Sequence, residues 1–358
     1  MRMDLFYNGS KLLSLKDLDG ERPTFYMAMT NRSGGKSTWF YRLVMKRFLL
    51  HNKKFALLYR FKNELCGISA KFFKTIGMLF FPEYVMTETQ KEKGAYVELF
   101  IQKRGDKNKI PCGYAICLNS ADRLKKSSAN FNDVDSIIFD EFQSETDFYC
   151  SKEIDKFMSV YQSIARGVVD GKGTSYRYVP VYMISNPVNI LNPYFSVWKI
   201  SHRLTEDTNF LRGHGWVLEQ GYIENAADEI AASGFYKAFK GSNYMTYNIS
   251  KKFLKNSTTF INKPDSKNNT YICTLRYNGR DYGVRLYSDE NIVYCNDKPD
   301  MSYHIKISVT TADHDINYAM LMNYGAMIGQ LRYYFTSGLC RFSDIDAKEA
   351  YMQAVAIR

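Results

Sequence analysis

The chain has 358 residues, 45% hydrophobic and 24% charged, which excludes a disordered or fibrous chain and leaves room for a sizeable core in more than one domain. Its 48 Lys and Arg against 37 Asp and Glu give a formal net charge of +11, which suits a polyanionic partner such as nucleic acid as well as it suits a merely basic soluble protein. The seven cysteines are scattered without zinc spacing and no stretch has the apolar length of a membrane span, so the expectation is a soluble, intracellular chain with free thiols and no membrane contact.

Residues 24–29 read as a buried strand. The next eight, Thr30-Asn31-Arg32-Ser33-Gly34-Gly35-Lys36-Ser37, open a helical pattern carried by Phe40, Leu43, Val44 and Phe48. A strand end feeding a glycine, a lysine and a hydroxyl into a helix is the setting of a phosphate-binding loop. The backbone from Arg32 to Thr38 would cradle phosphates. Lys36 would reach the β- and γ-phosphates, and the Ser37 hydroxyl would ligate Mg²⁺. Thr30 stands where the general pattern has its first Gly, so the local backbone is open to question while the lysine and hydroxyl are intact.

A second buried strand is expected at 54–59, a hairpin from 96–101 to 112–118, and further strands at 136–139 and 181–185. The strand at 136–139 ends in Asp140-Glu141. In an open α/β sheet such a strand end lies on the ligand-binding edge. Asp140 can hold Mg²⁺ there through water, and Glu141 can orient or deprotonate an attacking water. Two solvated acids at a strand end are common by themselves; the phosphate loop upstream makes ATP hydrolysis the better reading. Asn186, after the 181–185 strand, could touch the γ-phosphate or belong to an ordinary Asn-Pro turn. Arg32 could touch phosphate or restrain Glu141. Arg166, after a helical stretch, reads either as a helix-end cation or as a residue reaching a neighbour's site. Basic residues including Arg60, Lys62, Lys103, Arg104 and Lys126 lie on expected strand ends and loops, where some could track a nucleic-acid backbone.

Strands alternating with helices point to an α/β domain with a mostly parallel sheet over residues 1–204. Short helices are expected in a linker over 205–248, from Ala226, Ala227, Ile230, Ala231, Phe235 and Phe239. A strand-rich second domain follows over 249–358, with a hairpin signal at Tyr277-Asn278-Gly279-Arg280 and helical periodicity returning from Tyr318. Its acids, among them Asp281, Asp297 and Asp313, fall mostly in turns, without the converging set a two-metal nuclease needs.

In order along the chain, Leu5-Phe6-Tyr7-Asn8, Gly35-Lys36-Ser37, Tyr59-Arg60-Phe61-Lys62-Asn63-Glu64-Leu65, Ile138-Phe139-Asp140-Glu141-Phe142, Ser185-Asn186, Asn192-Pro193-Tyr194-Phe195 and Leu339-Cys340-Arg341-Phe342 resemble the DNA-packaging ATPases, or encapsidation proteins, of small short-tailed phages of the Picovirinae type. The resemblance implies a terminase-like translocase of the additional-strand, catalytic-glutamate class, followed by a ribonuclease-H-like domain that has lost its nuclease acids. Five copies would form a ring at the portal vertex of an empty procapsid in the host cytoplasm. The ring would drive double-stranded genomic DNA inward with ATP and Mg²⁺, with the portal protein and a packaging RNA as further partners. It also implies Glu141 as the catalytic glutamate, Arg166 as an arginine finger acting in trans, Lys126 or Lys125 as a lysine acting across the same border, and Arg60 and Lys62 as DNA contacts. A ring helicase or conjugation-type pump on the same core, or a nucleotide-gated portal scaffold without catalysis, are the alternatives.

Overall fold

The structure is a computed structural model that describes residues 6–124, 131–145, 148–166, 176–190, 192–201, 203–204, 208–239 and 260–355. They divide into two compact units. One holds the described residues up to Tyr194 and from Leu204 to 239; the other holds Phe195–Arg203 with 260–355.

The first unit opens with a short helix α1 (Ser10–Ser14) and is built on a nine-stranded sheet. Its strands are β1 (Phe25–Met29), β2 (Lys54–Tyr59), β3 (Tyr84–Lys91), β4 (Tyr96–Lys103), β5 (Ile110–Cys117), β6 (Val134–Asp140), β7 (Val181–Ser185), β8 (Phe210–Gly213) and β9 (Trp216–Gln220). The spatial order is β3-β4-β5-β2-β6-β7-β1-β9-β8. From β5 to β9 every neighbouring pair is parallel, and antiparallel strands close both edges. The central strands are near-continuous buried runs because helices cover both faces, as parallel sheets require. Helix α2 (Lys36–His51) turns Phe40, Val44, Met45 and Phe48 onto the sheet and ends at Asn52, whose left-handed backbone donates its N–H to the Phe48 carbonyl at 2.8 Å. Helix α3 (Ile68–Phe80) adds Phe72, Phe73 and Ile76 to the same core. The short α4 (Ala121–Leu124) and the longer α5 (Glu153–Ala165) follow β5 and β6.

β7 lies between β1 and β6, so one additional strand separates the strand that feeds the phosphate loop from the strand that ends in the acid pair. In register, Met29 pairs with Ser185 and Asp140 with Ile184, which brings the ends of β1, β7 and β6 to one edge.

The stretch expected as a helical linker is only partly helical. Helices α7 (Glu224–Ala232) and α8 (Gly234–Ala238) are present, but β8 and β9 precede them and extend the first sheet beside β1. Helix α6 (Pro193–Val197) begins in the first unit, and from Phe195 the chain packs with the second.

The second unit has a six-stranded sheet of β10 (Thr270–Tyr277), β11 (Arg280–Tyr287), β12 (Ile292–Asn296), β13 (Lys306–Ser308), β14 (Ala319–Met320) and β15 (Cys340–Phe342), in the order β14-β13-β10-β11-β12-β15. β10, β11 and β12 form an antiparallel meander; β13 adds in parallel to β10, β14 in parallel to β13, and β15 in parallel to β12. Asn278 and Gly279, with φ of 50° and 71°, make the primed hairpin turn that the sequence signals. Helices α9 (Gly325–Thr336) and α10 (Ile345–Val355) cover the sheet through Ile328, Leu331, Tyr351 and Ala354. The helix expected from Tyr318 starts only at Gly325: residues before it form β14 and a single tight turn, and Met322 is 93% exposed. β10 carries no carboxylate, and among the described residues no group of three or more His, Cys, Asp or Glu is arranged to hold a metal. All seven cysteines are unpaired thiols, and among the described residues no helix is long and apolar enough to cross a membrane.

Candidate active site

The phosphate loop leaves β1 at Thr30 and enters α2 at Lys36. Ser33 and Gly35 take positive φ of 61° and 82°, which curls the backbone and leaves the first N–H groups of α2 without helical partners. Glycine carries the second of these without a Cβ penalty. Thr30 does not join them: its φ is not positive, so a side chain is tolerated where the general pattern has Gly, and its hydroxyl donates to the Asn31 carbonyl at 3.0 Å. Asn31 ties the loop down. Its amide donates to the Ile223 carbonyl at 3.0 Å and its Oδ1 accepts the Ile223 N–H at 2.8 Å. The Gly34 carbonyl accepts the Tyr7 N–H at 2.8 Å.

Lys36 is buried, and its Nζ donates to Asn186 Oδ1 at 2.6 Å. That acceptor is a neutral amide. Burial therefore outweighs the attraction of Asp140 and Glu141, and the ammonium's pKa falls to about 8. A desolvated cation beside a helix N-terminus is built to receive an anion.

Asp140 ends β6 with both oxygens engaged. Oδ2 accepts the Tyr41 hydroxyl at 2.6 Å and Oδ1 accepts the Glu141 N–H at 3.0 Å. Glu141 takes a left-handed φ of 54°, so the chain turns sharply after the strand. Burial, and then the Asp140 charge, raise its carboxyl pKa above the usual range. A carboxylate whose affinity for a proton is raised suits the role of proton acceptor.

Arg60 holds this turn from below. Its guanidinium donates to the Glu141 carbonyl at 2.6 Å and to the Phe142 carbonyl, and pairs with both oxygens of Glu153 at 3.0 and 3.1 Å. Tyr194 donates to the same Glu153 carboxylate at 2.7 Å. Gln143, also buried, accepts the Val188 and Asn189 N–H groups at 3.1 Å each, joining the acid turn to the loop after Asn186.

The fold thus brings Arg32, Ser33, Gly34, Gly35, Lys36, Ser37, Thr38, Asp140, Glu141 and Asn186 to one edge of the sheet. Arg32 pairs with Glu145, just beyond the acid pair, and its charge also acts on Glu141. The expectation of Arg60 as a DNA contact is corrected: its side chain is 6% exposed and its donors are spent on Glu153 and two carbonyls. Lys62, two residues on, is exposed, with Nζ donating to the Lys93 carbonyl at 2.7 Å, and borders an open cavity shared with Asn119, Asp122 and Arg123. Arg166 is exposed beyond α5, away from this edge: the adjoining Arg177 donates to the carbonyl of Val134, at the opposite end of β6. Lys125 and Lys126 lie outside the described residues. Asn31, Tyr41, Gln143 and Glu153 are the site residues that sequence reasoning missed; none has a local signature, because each works through a partner far along the chain.

These donors fit a magnesium-bound nucleoside triphosphate. The amides of residues 32–38 and Lys36 suit the phosphates, and the Ser37 hydroxyl and Asp140 are hard oxygen donors suited to Mg²⁺.

The model of the podovirus DNA encapsidation protein (Gp16) family matches residues 1–355. The DNA packaging protein of Bacillus phage phi29 is 25% identical over 353 residues, covering 96% of this chain and 95% of that protein. The DNA packaging protein of Bacillus phage B103 is 27% identical over 317 residues, covering 87% and 90%. Among solved structures, the bacteriophage Phi-29 viral genome packaging motor assembly aligns with a TM-score of 0.62 at 22% identity, over 98% of this chain and 99% of that one. The Phi-28 gp11 DNA packaging motor aligns at 0.63 and 13% identity, over 99% and 98%, and both share this fold. With the ordered segments, the additional strand and the site edge in agreement, this chain belongs to the podovirus DNA encapsidation protein (Gp16) family.

Proposed function

We propose that the chain is an ATP-hydrolysing motor subunit that drives double-stranded DNA through the portal into an empty procapsid. The observation that carries this reading is the shared edge of β1, β7 and β6, where a buried, anion-seeking Lys36 faces Asp140, Glu141 and Asn186. The amides of the loop and Lys36 hold the triphosphate, and Ser37 and Asp140 hold Mg²⁺. The bound ion would neutralise charge on the β- and γ-phosphate oxygens. Glu141 takes a proton from the attacking water; a carboxylate with a raised pKa is the stronger base for that step. Asn186, which accepts a hydrogen bond from Lys36, exchanges that partner for the γ-phosphate, so the β7 end reports whether the site is loaded.

The arginine finger is Arg166 of a neighbouring copy in a homo-oligomeric ring of five, with Lys126 acting across the same border. Two observations support trans action: Arg166 is exposed, and it lies toward the end of the sheet remote from its own acid pair. The seven residues of β6 alone span about 20 Å at ~3.3 Å each. Lys62 is the basic residue we assign to DNA, on the strength of its exposure. The second unit would be the portal-facing, ribonuclease-H-like element without nuclease chemistry, with packaging RNA as a further partner in the procapsid-bound complex. The first unit carries the ATPase, and β8 and β9 belong to it.

The test is ATP-dependent protection of genomic DNA from nuclease in the presence of procapsids. Wild type should protect full-length DNA and Lys36→Ala none. Strand separation without protection would favour the helicase alternative, and protection without ATP turnover would refute the motor.

A further inference from the structure

Tyr41 is not part of the phosphate loop, yet it contacts the site's acid directly. Ser37 and Tyr41 are four residues apart in α2, so they lie one above the other on the same helix face. Long side chains in a helix lean back toward its N-terminus, which aims the Tyr41 phenol toward the level of Ser37. The ring is braced by Phe72 of α3, with centroids 4.7 Å apart, and Phe72 itself is fully buried. The phenol donates to Asp140 Oδ2 at 2.6 Å while the Glu141 N–H holds Oδ1.

The Glu141 N–H alone would hold only one of the two carboxylate oxygens. We propose that Tyr41 is a positioning residue for the metal-binding carboxylate: its hydroxyl fixes the Asp140 plane so that the carboxylate and the Ser37 hydroxyl converge on one Mg²⁺ ion. The inference rests on the nucleotide reading of the site and adds to it a residue that no phosphate-loop pattern contains. Because the ring rests on Phe72 and only the hydroxyl reaches Asp140 and Tyr59, Tyr41→Phe removes the hydroxyl's hydrogen bonds and keeps the packing.

The experiment measures the affinity of full-length protein for a fluorescent ATP analogue, with saturating Mg²⁺ and again in chelator, and direct Mn²⁺ binding by electron paramagnetic resonance. Tyr41→Phe should lower the Mg²⁺-dependent gain in affinity on the order of fivefold, the worth of one hydrogen bond, and leave chelator affinity unchanged, with a cooperative melt showing that the protein stays folded. In an Asp140→Asn background the same change should add nothing. Equal Mg²⁺ dependence in wild type and Tyr41→Phe, or additive effects with Asp140→Asn, would overturn the Tyr41 assignment alone. A wild type whose nucleotide affinity ignores Mg²⁺ would overturn the nucleotide reading and this inference with it.

Discussion

At the scale of single residues, two basic side chains of the Tyr59-to-Leu65 segment part company. Arg60 is a structural clamp. Arg60→Ala leaves Glu153, whose side chain is 1% exposed, without its counter-charge, and should cost about 3–5 kcal/mol in a denaturant melt. Lys62→Ala should leave the melt unchanged and reduce the salt dependence of DNA binding by about one unit of slope, read from log affinity against log salt. Lys36 makes a pH prediction. Its pKa of about 8 lies below the ordinary lysine value, so Lys36 releases its proton as pH rises through 8. A bound triphosphate favours the charged form and restores it. ATP binding at pH 8 should therefore take up about half a proton, seen as a binding enthalpy that changes with the ionisation enthalpy of the buffer. No buffer dependence would contradict the environment assigned to Lys36.

At the scale of elements, the acid turn after β6 is held by its neighbours more than by its own sequence. Gln143→Leu would leave the Val188 and Asn189 N–H groups without an acceptor, and should cost about 1–3 kcal/mol and slow ATP turnover, checked by melting and steady-state hydrolysis. The phosphate loop, the acid pair and the strand ends that carry them were legible because each is a local pattern: an apolar run stopped by Gly-Lys-Ser or by Asp-Glu. The Asn278-Gly279 turn was legible for the same reason. β8 and β9 were not, because the Trp216–Leu218 run is short and is buried by pairing with β1, nearly two hundred residues earlier in the chain. Arg60 was misread because a strand-end arginine looks the same in sequence whether it faces solvent or a buried Glu153. Tyr41 was passed over because a tyrosine on an amphipathic helix reads as core.

At the scale of the whole molecule, alternating strands and helices foretold the parallel sheet, but only strand order reveals β7 as the additional strand between the two halves of the site. The same topology leaves Arg166 away from its own acid pair, which makes a prediction about copies. Rings of Arg166→Ala and rings of Glu141→Gln should each be inactive, whereas rings mixed from the two should regain part of the hydrolysis, because some borders pair an intact glutamate with a neighbour's intact arginine. No recovery on mixing would place the arginine's action in cis or remove it from the site. The central claim, that this pocket hydrolyses ATP for DNA movement, is tested most directly by DNA-stimulated phosphate release from the Glu141→Gln ring at saturating ATP. The account predicts nucleotide binding close to wild type with turnover reduced about 10²–10⁴-fold, the usual contribution of a general base; turnover equal to wild type would contradict it.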